Sequence, residues 1–120
     1  MGNYLVEYYE LPDGSHPAYD FITSQPAKMS AKLTWTVTLL EEHGNVLRMP
    51  YSEHLDDGIF QLRAIQGHDV TRVLYFFVVG KKAILTHGFA KDTNKTPQSE
   101  IDRAKKYRED YLKHHGDERK

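Results

Sequence analysis

The chain has 120 residues, no cysteine, 39% hydrophobic residues and a formal net charge of −1. That length holds one domain with one core, and the missing cysteine excludes disulfides and thiolate zinc sites. No stretch approaches the ~20 apolar residues of a membrane-spanning helix, and the N-terminus lacks the basic and apolar blocks of a signal peptide, so a cytoplasmic protein with no membrane partner is expected.

In chain order, Tyr4 to Glu10 is rich in β-formers and ends at the turn Pro12-Asp13-Gly14, which predicts a first strand. Ser15 and Pro17 then start a short helix, with proline where its missing N–H costs nothing, and Gln25-Pro26 stops it. Ala27 to Gly44 carries two periodicities. Leu33, Trp35, Val37 and Leu39 alternate as in a strand, while Met29, Leu33, Val37 and Leu40 form a helical stripe. Length and the terminal glycine favour the helix, which gives a helical hairpin across Pro26. After a loop from Asn45 to Asp57, three strands are predicted at Gly58–Gln66, Val70–Val79 and Lys82–Phe89, joined by tight turns and hence antiparallel. A last helix begins at Thr96-Pro97 and runs to about Leu112, with Ile101, Ala104, Tyr107 and Tyr111 as its apolar stripe and Gly116 closing it. Residues 113–120 are expected to fray. The order β-α-α-β-β-β-α implies an α+β domain over residues 1–120, with helices on one side of a twisted antiparallel sheet.

The charge is unevenly spread. Residues 1–80 carry 5 Lys/Arg against 10 Asp/Glu, and residues 81–120 carry 11 against 7. A polyanion would be drawn to the C-terminal third, although a solvated helix face explains such a run more simply. In the second strand Phe60, Leu62 and Ala64 share one face, so Arg63 points away from the helices. In the third strand both faces are apolar, and alternation leaves the side of Arg72 open. Two arginines on adjacent strands either pair with carboxylates such as Asp56, Asp57 or Asp69, or aim their forked donors at a phosphate. Spacing alone does not separate these accounts.

Several runs carry a resemblance: Leu62-Arg63, Arg72-Val73-Leu74-Tyr75, His87-Gly88-Phe89-Ala90-Lys91, and Asn94-Lys95-Thr96-Pro97 leading to Glu100-Ile101 and Ala104. With the upstream Pro50, His54-Leu55 and Gly58-Ile59-Phe60, the ordered set resembles the phage-derived Gp49/HigB-type branch of the RelE/ParE toxin superfamily. The resemblance covers most of residues 4–112 and is strongest from Pro50 to Ala104. It implies a RelE-like fold and a toxin of a type II toxin–antitoxin pair that cleaves mRNA on the ribosome, without metal or other cofactor. It also implies a partner antitoxin with a helix-turn-helix domain, HigA-like, and joint repression of the pair's own promoter.

RNA carries its own nucleophile, the 2′-hydroxyl, and a protein cleaves it by aligning that group, assisting proton transfer and stabilising the developing charge. The catalytic residues then expected are Arg63 and Arg72 on the scissile phosphate, Lys91 as a third cation and His87 as a candidate acid or base. Lys95, His54 and Phe89 are the expected RNA contacts, Phe89 by stacking on a base. Simpler roles stand beside these: a core histidine at 87, a loop support at 54, core packing at 89. His114-His115 resembles a metal pair only superficially, because adjacent helical residues diverge. Two rival readings remain, a ParE-like inhibitor of a target such as DNA gyrase and a phage-derived binding protein without catalysis.

Overall fold

The computed structural model describes residues 3–90 and 95–115. Its elements are β1 (Leu5–Tyr8), α1 (Pro17–Ser24), α2 (Ala27–His43), a 3-10 turn (Gly44–Val46), β2 (Ser52–Asp56), β3 (Ile59–Gln66), β4 (Asp69–Val78), β5 (Lys82–Ala90) and α3 (Gln98–His115). The five strands form one sheet of order β1-β5-β4-β3-β2. Strands β2 to β5 pair antiparallel in succession, whereas β1 lies parallel to β5, Leu5 opposite Lys82. The sheet is therefore mixed, not purely antiparallel. Parallel neighbours need a long crossover, and here α1, α2 and three strands intervene before β1 meets its partner.

The ambiguous segment at 27–43 is the helix α2. Met29, Leu33, Val37 and Leu40 are its buried stripe, and the alternating set breaks down because Trp35 faces solvent. Gly44 ends the helix at φ +55°, where its N–H reaches Leu40 O. A Cβ there would fall within the ring of Tyr4, so the site requires glycine for space as well as for conformation.

Two cores flank the sheet. On one face α1 and α2 pack through Ala18, Ile22, Met29, Leu33 and Leu40 against Leu62, Ala64, Val73, Tyr75 and Leu85. On the other face α3 packs through Ala104 and Tyr111 against Ile59, Leu74, Phe76, Val78 and Ile84. The expectation that all helices share one side is thus overturned: α3 covers the opposite face. β4 is apolar on both sides because it is central and covered twice.

α3 is also tied down by charge. Lys105 Nζ lies 2.6 Å from Asp56 Oδ2 and Arg108 Nη2 lies 2.8 Å from Asp57 Oδ2, at the β2–β3 turn. The strand β2 itself falls within the segment expected to be a loop. At five residues with a register irregularity after His54, it is too short for its alternation to stand out. Among the described residues, no helix is long and apolar enough to cross a membrane.

Candidate active site

Arg63 on β3 and Arg72 on β4 are directly opposite each other in the antiparallel ladder. Their in-phase neighbours fix the side they occupy. Leu62 and Ala64 belong to the α1/α2 core, and Leu74 and Phe76 belong to the α3 core, so both arginines project from the α3 face. Arg63 thus points away from α1 and α2, as alternation predicts, and the ladder decides the side of Arg72 that alternation left open. They lie toward the β3–β4 hairpin end of their strands.

This face is not open water. Arg63 is part-exposed, but Arg72 is only 2% exposed. Burial foremost, and then the Arg63 charge, hold the Arg72 pKa below its ordinary value, with Glu53 opposing them. Asp56 and Asp57 bind α3 and leave the arginines to other groups. The result is concentrated positive charge on two neighbouring strands.

A polar chain borders the arginines two residue pairs along the ladder. Gln61 Nε2 donates to Glu53 Oε1 at 3.0 Å, and the buried Thr96 hydroxyl donates to Gln61 Oε1 at 2.5 Å. Thr96 precedes α3, so this bond fastens the start of that helix to β3. Gln61 carried no signal in the sequence, since an uncharged residue in a strand looks like any solvated position; Thr96 was legible as a helix start but not as the partner of Gln61.

The other expected site residues divide. In β5 a bulge shifts the register where Leu74 pairs with His87 but Tyr75 pairs with Leu85. Leu85 therefore faces α1 and α2, while His87 and Phe89 face α3. His87 is buried, with Nε2 2.9 Å from Glu100 Oε1 and Nδ1 3.1 Å from Thr86 Oγ1. Burial depresses its pKa, and the hydrogen bond and charge of Glu100 resist that shift. Both ring nitrogens are occupied within the protein. His87 is thus a buried fastening between β5 and α3, the placement of a core histidine.

Phe89, opposite Arg72, is packed in the α3 core with its ring near that of His87. His54 pairs with Phe60 on the α1/α2 side of the sheet and accepts the Gly58 N–H at 3.2 Å. It supports the turn and does not join the arginines. Lys95 is exposed beside Thr96 at the start of α3. Lys91 and Gly116 lie outside the described residues. His114 and His115 each contact a backbone carbonyl one turn back, and His115 stacks on Tyr111.

The architecture is that of an α+β protein with two arginines opposed on one face of a mixed five-stranded sheet. Comparison with family models matches residues 20–109 to the phage-derived protein Gp49-like family (DUF891). The chain belongs to that family, which is associated in general with toxins of RelE/ParE-type toxin–antitoxin pairs. Comparison with curated proteins gave no match.

Proposed function

We propose that this protein is the toxin of a type II toxin–antitoxin pair and cuts mRNA on the ribosome by attack of a 2′-hydroxyl on the adjacent phosphate, without a metal. The observation that carries the reading is the opposition of Arg63 and Arg72 on one face of the sheet. Arg63, part-exposed, meets the scissile phosphate; Arg72, buried behind it, adds positive potential where negative charge develops. An anion docking here meets two cations that the fold already holds together. The family match, and the succession of a strand, two helices, four strands and a helix, support a RelE-like reading of the fold.

Lys91 enters as a third cation on the strength of the resemblance, as does a helix-turn-helix, HigA-like antitoxin as partner. Lys95 contributes backbone affinity from the start of α3. With His87 fastened to Glu100, proton transfer falls to Lys91, to water or to the RNA itself.

The test is to map mRNA 5′ ends in a translating extract, comparing wild type with the Arg63→Ala/Arg72→Ala variant. New ends inside translated messages are expected with wild type and not with the variant. Intact messages during full growth arrest would remove the nuclease reading. Gyrase-type DNA damage that survives loss of both arginines would favour the ParE-like alternative.

A further inference from the structure

β2 begins at Ser52, opposite Leu62, so from Arg63 onward the outer edge of β3 has no strand beside it among the described residues. One backbone bond, Arg63 N–H to Tyr51 O at 2.9 Å, holds the chain entering β2 against that edge. A groove of about 240 Å³ opens there, lined by Trp35 of α2, Pro50, Tyr51, Lys32, Arg63 and Ile65 among others.

Its composition differs from that of the chain. Trp35 is 51% exposed and Ile65 46% exposed, an apolar surface that water covers at a cost. Trp35 meets the Tyr51 ring edge-to-face at 5.4 Å, which fixes the indole in one orientation while half of it stays in solvent. Lys32 Nζ donates to Ile65 O at 2.6 Å, so its charge is held at the groove. Two cations line the groove and no carboxylate does, although acidic residues outnumber basic ones over the whole chain.

We infer that this groove is a stacking subsite for one unpaired base of an RNA strand, with Trp35 as its platform. The inference rests on the RNA reading of the arginine pair. Aromatic rings flanked by cations suit a single strand, in which bases stack and phosphates seek positive charge. A protein surface could cover the same rings, but two cations with no carboxylate among the described lining residues favour a phosphodiester chain. Arg63 connects the two places: it lines the groove at the edge of β3, and its side chain projects from the α3 face opposite Arg72. A strand with its scissile phosphate on Arg63 that passes over this edge brings a neighbouring base to the indole, which makes Trp35 a determinant of which nucleotide is accepted beside the cut.

Trp35 is the only tryptophan, so its emission reports on the groove alone. The full chain would be titrated with a 2′-O-methyl pentaribonucleotide, which cannot be cleaved, and with the same sequence as a duplex. Saturable quenching is expected from the single strand and not from the duplex. Anisotropy of the labelled strand should show binding weakened about tenfold by Trp35→Ala, near the low end of what one aromatic–base stack contributes. Trp35→Phe, which keeps a ring, should bind within about threefold of wild type. Binding without a change in emission, equal binding by Trp35→Ala, no binding of either oligonucleotide, or an emission change only with a protein partner would each overturn the proposal. Quenching together with intact translated mRNA would retain the subsite and remove the nuclease reading, and cleavage with unchanged emission would do the reverse.

Discussion

Like charges directly opposed on neighbouring strands destabilise a sheet by a few tenths to about 1 kcal/mol relative to a neutral pair, and Arg63 with Arg72 is such an arrangement. Arg72 is the buried member and Arg63 the part-exposed one. Replacing Arg63 by methionine keeps much of the long apolar stem that packs on the sheet while removing the charge. Relief of the repulsion should raise unfolding stability by about 0.3–1 kcal/mol. For a chain of this length the unfolding entropy is about 250 cal/mol/K, so the midpoint should rise by about 1–4 °C.

The assay is thermal unfolding followed by circular dichroism, wild type against Arg63→Met, at 0.1 M and 1 M NaCl. The Debye length falls from about 10 Å to about 3 Å between these salts, so the gain should shrink at high salt. Messenger cleavage should be lost in the same variant. Stability gained as activity disappears is the mark of a charge kept for its ligand. A lower midpoint for Arg63→Met at both salts would refute the reasoning, because Arg63 would then have to be a structural residue with a favourable partner.

Two other perturbations follow from the buried groups. Burial holds His87 below its ordinary value of 6.5, so the unfolded chain takes this proton first as pH falls. The stability at stake is whole above about pH 6.5 and declines from there toward the folded pKa, at about 1.4 kcal/mol per unit of depression. Glu100→Gln, which removes the opposing charge, should deepen that decline, and His87→Gln should flatten it; urea denaturation between pH 7.5 and 5.5 reads both. A midpoint unchanged over that range in wild type would sink the argument. At Gly88 a Cβ would lie 2.3 Å from Phe21 Cδ2, so Gly88→Ala should lose about 1–3 kcal/mol by overpacking the α1 face. Wild-type stability in a denaturant titration would show that Phe21 moves freely.

Most elements were legible in the sequence because their signals are local. Turn residues bound the strands, and a stripe at Met29, Leu33, Val37 and Leu40 identifies α2. The direction of Arg63 was legible too, because Phe60, Leu62 and Ala64 mark the other face of β3 as core. β4 offered no such contrast for Arg72: a strand covered on both faces is apolar on both. Pro50, the arginine strands and the Thr96-Pro97 helix start, taken in order, carried the family resemblance.

Pairing and packing decided the rest. The bulge in β5 separates Leu85 from His87 and Phe89, which an unbroken strand would put on one face. The parallel partner of β1 and the side taken by α3 depend on contacts between distant parts of the chain, and no local pattern encodes those. The sequence alone determined where the helices and the three long strands lie and which side of β3 bears a guanidinium, since side-chain period and turn chemistry act over a few residues. The tertiary structure decided that the second guanidinium stands opposite the first, that it is buried, and that His87 is fastened to Glu100, since register and burial arise only when remote segments meet.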